Sequence, residues 1–226
     1  MLVYGVNVLK ELKSKDIKKV YTSRKEIIKY CQDNKIKYEL RDNIFLNKMC
    51  SKKHQGVVID IYDYGYYDYK DIEGNFILIL DHLEDPHNFG AIIRSAVGAN
   101  IKTIIIPKDR STVVTDVVAK TSAGMINHVK IVMVTNICTT ILKLQNDGYY
   151  VYAADMNGKN YKHINYNETP KKVLVIGNEG KGVSHLVKEK CDELIKIPLN
   201  NLCESLNASV AAGILMFEMS YKDEWY

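Results

Sequence analysis

The 226-residue chain lacks any long apolar run, and no stretch approaches the roughly 18 consecutive apolar residues that a membrane span requires. Its N-terminal residues also lack the charged, apolar and small-residue order that marks a secretory signal peptide. These two absences predict a cytoplasmic protein without a membrane partner.

Paired cysteines are absent as well, because the five cysteines are odd in number and include no Cys-x-x-Cys pair. A disulfide framework and a zinc knuckle are therefore not indicated. The acidic and histidine side chains of residues 81–87 match no common zinc spacing, so we expect no bound metal. A Ser-His-Asp hydrolase is disfavoured by the absence of a Gly-x-Ser-x-Gly elbow.

Basic charge is concentrated near the N-terminus. Residues 1–60 carry 14 Lys and Arg against 7 Asp and Glu, a balance of +7, and the remaining residues carry 17 against 20, or −3. Such segregation favours a polyanionic partner such as RNA, since phosphate neutralisation provides most sequence-independent affinity. A solvated lysine-rich surface is the alternative.

Short apolar patterns predict a compact α/β unit over residues 1–62, with helices at 5–13, 24–34 and 42–49 and strands at 17–22, 37–40 and 56–62. Residues 63–75 have no apolar periodicity and are rich in tyrosine, so we interpret them as a linker. Tyrosines there could instead stack on unpaired bases, although the interleaved aspartates would repel phosphate.

Buried-type strands alternate with helical patterns over residues 76–226, which indicates a parallel sheet with helices on both faces. The predicted strands are 76–81, 102–107, 130–134, 149–154, 173–177 and 194–198. The predicted helices are 90–100, 113–124, 136–147, 184–191 and 207–221.

Three motifs lie where such strands give way to polar, glycine-bearing loops: DHLEDPHNFGAIIRSAVGAN (81–100), VLVIGNEGKGVS (173–184) and IPLNNLCESLNASVAAG (197–213). Loops at the carboxyl ends of parallel strands are where open α/β sheets build their sites. We therefore expect the three motifs to form one reaction site.

The first motif contains Pro86, which can begin a helix, and Asn88, a good helix cap. Arg94 follows six residues later, which we interpret as roughly the same helix face. Arginine is scarce, with four in the chain, so an arginine among small apolar residues predicts a phosphate or ribose contact. An ion pair with Asp81 or Asp85 is the alternative.

The second motif fits neither the P-loop nor the dinucleotide fingerprint, which leaves a close-approach glycine loop with one carboxylate, Glu179. The third opens the last helix with two cap-type residues, Ser205 and Asn207. Alanine and glycine then keep one face of that helix thin.

In this order the motifs strongly resemble the SpoU (TrmH) branch of the SPOUT methyltransferases, through NFGAIIR (88–94), IGNEGKGVS (176–184), and IPL followed by SLNASVAAG. The N-terminal segments YGVNVLKEL and HQGVVIDI are similar to the small ribosomal-protein-L30-like substrate domain of the bacterial 23S rRNA guanosine 2′-O-methyltransferases. The resemblance implies S-adenosylmethionine as methyl donor, a homodimer, and a C-terminal trefoil knot.

The resemblance also implies roles for individual residues. The positions that match the family's catalytic residues are Asn88, Arg94, Glu179 and Asn207, with Ser205 beside them. The positions that match its cofactor-holding residues are Gly177, Ile197 and Leu206. Arg94 would bind phosphate and stabilise the developing alkoxide, with Glu179 and Asn207 orienting it.

Two positions depart from the family pattern. Asn201 stands where relatives usually have glycine, and asparagine tolerates the positive φ that glycine can adopt. Glu204 stands where relatives usually have a small polar residue.

The resulting expectation is methylation of a ribose 2′-hydroxyl in RNA, at a guanosine of 23S rRNA, with no DNA partner. Two alternatives remain. One is a tRNA ribose 2′-O-methyltransferase of the same fold, and the other is a non-catalytic RNA-binding protein of ribosome assembly.

Overall fold

The computed structural model describes residues 2–50, 54–61 and 64–220. In the first part of the chain, four strands form a sheet of order β1-β4-β2-β3, in which β4 runs antiparallel to β1 and β2. The strands are β1 Leu2–Tyr4, β2 Ile17–Thr22, β3 Tyr38–Leu40 and β4 Val57–Ile61. The helices are α1 Val6–Glu11, α2 Lys25–Asp33 and α3 Asn43–Met49.

The helices of this first unit follow from side-chain pattern and capping. Helix α2 buries Ile27 and Cys31, one helical turn apart, and leaves most of its other side chains toward solvent. Helix α3 begins where the Asp42 carboxylate accepts a hydrogen bond from the Phe45 amide at 2.8 Å. The pattern did not predict β1, because three residues are too short to show alternation.

The second sheet has six strands in the order β10-β8-β9-β5-β6-β7, and every neighbouring pair is parallel. The strands are β5 Phe76–Asp81, β6 Thr103–Pro107, β7 Lys130–Val134, β8 Tyr150–Asn160, β9 Lys172–Gly177 and β10 Glu193–Lys196. The helices are α4 Pro86–Gly98, α5 Asp116–Thr121, α6 Ile137–Asn146, α7 His185–Lys188 and α8 Ala208–Met219.

Alternate residues of the central strand β5 enter two different apolar clusters. Leu78 and Leu80 pack with residues of α4 and α8, whereas Ile77 and Ile79 pack with residues of α6 and α7. The sheet is thus covered on both faces, which confirms the predicted α/β architecture.

Several predicted boundaries were wrong. Helix α4 begins at Pro86 rather than at residue 90, because Asp85 accepts hydrogen bonds from the amides of His87 and Asn88. Asn88 therefore lies inside the helix and is not its cap. Helix α5 is shorter than predicted and is capped by Thr115. Residues 62 and 221, the predicted ends of a strand and a helix, lie outside the described residues.

The tyrosine-rich connection is fixed to the second sheet. Tyr67 forms two backbone hydrogen bonds with β7. Its amide donates to the Ile131 carbonyl at 2.9 Å, and the Met133 amide donates to the Tyr67 carbonyl at 3.1 Å. The Tyr66 hydroxyl accepts from the Val114 amide at 2.9 Å. The segment joins the two sheets, and Tyr67 is anchored on the edge strand of the second one. Single bridges and side-chain hydroxyls give no periodicity, so the sequence pattern could not show this.

We expect Gly90→Ala to lower the free energy of unfolding by roughly 1–3 kcal/mol, because overpacking forces neighbouring groups apart. An added Cβ at Gly90 would lie 2.6 Å from the Thr121 Cβ and 3.0 Å from the Val118 carbonyl oxygen, where α4 crosses α5. Gly213→Ala is the matched control, since a Cβ on this glycine of α8 meets nothing within 4 Å. Urea unfolding of both variants measures the difference, and equal effects would contradict the proposed packing constraint.

Candidate functional site

The first and second motifs leave the sheet side by side. Strands β5 and β9 are adjacent and parallel, and their register pairs Asp81 with Gly177 at the carboxyl ends. The third motif follows β10, which lies at the edge of the same sheet. Because the carboxyl ends of parallel strands share one edge, three distant segments meet there.

A line of hydrogen bonds joins one residue from each motif. The Asn88 Nδ2 donates to Glu179 Oε1 at 2.9 Å, and the Asn207 Nδ2 donates to Asn88 Oδ1 at 2.9 Å. Asn207 also caps α8, because its Oδ1 accepts from the Ser209 amide at 2.8 Å. The amide of Asn88 is thereby held at both of its polar atoms, and its orientation is fixed.

The glycine loop of the second motif folds directly against the end of its own strand. Asn178 and Gly182 exchange backbone hydrogen bonds of 3.1 and 2.8 Å. An added Cβ at Gly177 would lie 2.0 Å from the Gly182 carbonyl carbon, so only glycine fits at position 177. The Asn178 Nδ2 also donates to the His82 carbonyl at 3.0 Å, which ties this loop to the first motif.

Asp81 performs a structural role that the sequence pattern did not reveal. It is 1% exposed, and its carboxylate accepts from the Ser184 amide at 2.7 Å and contacts His82 Nδ1 at 2.6 Å. It therefore fixes the end of the glycine loop. The available signal was an acidic residue at the last position of a fully buried strand, where an unpaired carboxylate would be costly.

A cleft of about 500 Å³ opens beside the glycine loop. Small-molecule sites typically enclose roughly 300–1,000 Å³, so the cleft is large enough for a nucleoside-sized ligand. Its lining includes all three residues predicted to hold the cofactor, Gly177, Ile197 and Leu206, together with Glu179 and Ser205.

An ion pair that was not predicted from the sequence lies in the wall of this cleft. Lys188 Nζ is 2.8 Å from the Asp155 carboxylate, which also accepts from the Asn157 amide at 2.9 Å. Burial alone would raise the pKa of Asp155, but the hydrogen bonds from Lys188 and Asn157 lower it below its usual value. Asp155 thus stays ionised in the cleft at neutral pH.

Arg94 lies apart from this arrangement. It is exposed and makes no hydrogen bond or ion pair with any described residue, so the alternative of an ion pair with Asp81 or Asp85 is wrong. The expected shared face with Asn88 was also wrong, because six residues rotate a helix by about 600°, which leaves the two side chains about 120° apart. Asn88 is 8% exposed.

The expected orientation of Arg94 by Glu179 and Asn207 is likewise not seen. Both of those side chains bond Asn88 instead. Ser205 reaches the cleft but has no side-chain hydrogen bond to a described residue. The structure therefore joins three of the five predicted catalytic residues in one hydrogen-bonded line, and the side chains of Arg94 and Ser205 have no hydrogen bond to a described residue.

The two departures from the family pattern are accommodated differently. Asn201 is not among the described residues with positive φ, so the loop does not need the conformational freedom of glycine at this position. Glu204 lines the cleft and adds a carboxylate there.

Over residues 2–50, 54–61 and 64–220, no group of three or more His, Cys, Asp or Glu side chains is arranged to hold a metal ion. None of the helices in that part of the chain has the length and apolar character needed to cross a membrane.

Known proteins resemble this chain, and some of them do so over nearly its whole length. A TrmH-family tRNA/rRNA methyltransferase of Staphylococcus aureus is 39% identical over 98% of this chain and 91% of its own. A solved rRNA methyltransferase of Sinorhizobium meliloti is 26% identical, with a TM-score of 0.82 over 96% of this chain and 85% of its own. A TrmH/SpoU tRNA-modifying enzyme of A. aeolicus is 28% identical, with a TM-score of 0.58, but covers 65% of this chain and 74% of its own.

Two family profiles match adjoining parts of the sequence. Residues 2–67 match the substrate-binding region of RNA 2′-O ribose methyltransferases, and residues 75–217 match the SpoU rRNA Methylase family. The second match spans all three motifs and more than half of the chain. This protein therefore belongs to the SpoU rRNA methylase family.

Proposed function

We propose that this protein transfers a methyl group from S-adenosylmethionine to a ribose 2′-hydroxyl of RNA, at a guanosine of 23S rRNA. The observation that carries the proposal is the hydrogen-bonded line of Glu179, Asn88 and Asn207 beside a ligand-sized cleft. These residues are 91 and 119 positions apart in sequence. Core packing alone gives no reason for such a polar line at a partly exposed strand end, whereas a reaction site does.

The cleft fits S-adenosylmethionine. Its lining combines apolar residues such as Ile197 and Leu215 with charged groups, a mixture suited to a ligand with an aromatic base and an amino-acid end. We assign Gly177, Ile197 and Leu206 as residues that hold this cofactor. When bound, it supplies an electrophilic methyl group on a sulfonium. A structure of an rRNA methyltransferase from S. meliloti contains bound AdoMet.

The protein's own contribution is to position the RNA. Arg94 has no partner among the described residues, so its guanidinium is available for a phosphate of the substrate. Guanidinium holds its proton too tightly to act as an ordinary base, and we assign it to stabilising the negative charge that develops on the ribose oxygen. Asn88 and Glu179, already fixed to each other, provide a rigid polar edge near the cleft.

Ribosomal RNA is the preferred substrate because of the N-terminal unit. The S. meliloti rRNA methyltransferase covers 96% of this chain, whereas the A. aeolicus tRNA-modifying enzyme covers 65%. The A. aeolicus match leaves 35% of this chain uncovered, which is more than the length of the first 60 residues with their charge of +7. The name of the S. aureus relative includes both substrates, so methylation of tRNA is the second candidate.

We further propose that the enzyme is a cytoplasmic homodimer. Helix α8 leaves Val210 49% and Phe217 40% exposed, and large apolar side chains exposed on one helix are suited to a protein contact. The trefoil knot implied by the resemblance also stays a prediction.

The first functional prediction is that S-adenosylmethionine binds without a metal. The cleft lining offers backbone, apolar groups and one ion pair, so we expect calorimetric titration to give the same affinity with and without a chelator. Loss of binding on chelation, or no binding in either condition, would contradict the cofactor assignment.

The second is that Arg94→Ala abolishes methyl transfer while cofactor affinity is unchanged, because Arg94 does not line the cleft. A positioned charge of this kind contributes on the order of 2–4 kcal/mol to lowering a barrier, which corresponds to a loss of about 30- to 1,000-fold. Arg94→Lys should not restore the rate, since an ammonium lacks the planar fork. Radiolabelled methyl transfer measures both, and a variant with more than about a tenth of the wild-type rate would show that Arg94 is not catalytic.

The third is that the basic N-terminal unit delivers the RNA. A fragment beginning at Tyr64 keeps the tyrosines anchored on β7, and we expect it to bind S-adenosylmethionine but to bind 23S rRNA fragments poorly. The full-length protein should lose RNA affinity steeply with salt, because each neutralised phosphate releases counterions. Methylation assays of rRNA and tRNA transcripts test this. Undiminished rRNA methylation by the fragment would refute delivery, and efficient tRNA methylation would favour the second candidate.

A further inference from the structure

The first sheet and α3 carry a cluster of aromatic and basic side chains, which we call the Arg41 platform: Tyr21, Arg41 and Phe45. The Arg41 guanidinium carbon lies 4.5 Å from the centre of the Phe45 ring. The rings of Tyr21 and Phe45 are 6.3 Å apart with an interplanar angle of 38°. Two aromatic rings and one guanidinium thus form a continuous surface.

This platform is fixed by its neighbours. Strand β3 pairs with β2 so that Glu39 lies opposite Tyr21, and the Glu39 carboxylate forms an ion pair with Arg41. The same carboxylate is 2.5 Å from Lys19 Nζ. The Asp42 cap sets the start of α3 and therefore the position of Phe45. The guanidinium is held over the ring before any ligand arrives, which reduces the entropy lost on binding.

The outer side of this platform is open to solvent. The Arg41 side chain is 44% exposed, although its inner face is covered by Phe45. A flat, weakly hydrated group that lies on an aromatic ring is suited to another flat group stacked on it.

We propose that the Arg41 platform binds one unpaired base of the RNA substrate, stacked on the outer face of the Arg41 guanidinium with Phe45 beneath it. The proposal rests on the proposed function, in that RNA is the substrate. Unpaired RNA bases are recognised by stacking on aromatic rings and guanidinium planes, whereas the faces of paired bases are covered by their neighbours. The charge of +7 on residues 1–60 favours a polyanion such as RNA over a neutral or basic protein surface.

Two conservative variants of the full-length protein test the stacking. Arg41→Lys keeps the charge beside Glu39 but removes the planar group, and Phe45→Leu keeps apolar volume but removes the ring. We expect each variant to weaken binding of a 23S rRNA fragment with an unpaired loop by about tenfold. This is the affinity that stacking of one base contributes. The slope of affinity against salt should not change, because no phosphate contact is lost. Leu142→Ser on α6, a residue 47% exposed in the other half of the chain, is the matched control and should bind normally.

A fluorescent base locates the contact. RNA with one 2-aminopurine in the loop should be quenched on binding to wild type and much less on binding to Arg41→Lys or Phe45→Leu. The same base within a duplex should show no quenching. In methyl transfer, both variants should raise KM about tenfold and leave kcat unchanged, because the platform acts on binding and not on the reacting atoms.

Two results would overturn the proposal: binding by both variants within twofold of wild type, or equal losses for loop and duplex RNA. RNA binding is measured without cofactor, which separates the two proposals. A wild-type protein that binds RNA through the platform but transfers no methyl group would contradict the proposed function alone. Normal methylation with unaffected variants would contradict the platform alone.

Discussion

The pairing of β5 with β9 is the constraint on which the rest of the site depends. It aligns Asp81 with Gly177, so that the first and second motifs leave the sheet at the same height. From there the Asp81 carboxylate can reach the Ser184 amide. Residues 178–183, between Gly177 and Ser184, must therefore fold into a tight loop. A side chain at position 177 could not be accommodated, because the loop backbone occupies that space. The cleft beside the loop follows from this close backbone contact.

The fold could be predicted from the sequence because its signals are local. Continuous apolar strands such as 76–81 alternate with helices, and this pattern is sufficient for a parallel sheet covered on both faces. Helix ends were less certain, since capping depends on which of several polar residues faces the amides. Asp85 and Asn88 are both good caps by type, and the proline at position 86 favours the earlier one. The anchoring of Tyr67 on β7 was not predictable, because it rests on a single bridge between distant segments.

Three of the five predicted catalytic residues meet in one hydrogen-bonded line, and the geometry of that line was not predicted. The motifs identified Asn88, Glu179 and Asn207, and the structure adds that Asn88 is the central member of their line. Residues 81 and 155 were missed. Asp81 ends β5, and Asp155 follows the apolar run 149–154 inside β8, where sequence alone cannot distinguish a structural anchor from another polar residue. Their partners, Ser184 and Lys188, are 103 and 33 positions away, so no local pattern could reveal them.

Asn88 and Arg94 lie on the same helix but differ in burial and in hydrogen bonding. Asn88 is buried and bonded at both ends, which makes it a fixed reference point for the cleft. Arg94 is six residues along the same helix, yet it is exposed and unbonded among the described residues. A guanidinium already paired with a carboxylate would have to break that pair before it could bind phosphate, and the exchange would weaken the net interaction. Three carboxylates are bonded to other groups: Asp85 caps α4, Asp81 holds the glycine loop, and Glu179 bonds Asn88. Arg94 has no acidic partner among the described residues, whereas each of these three acids is engaged by the fold.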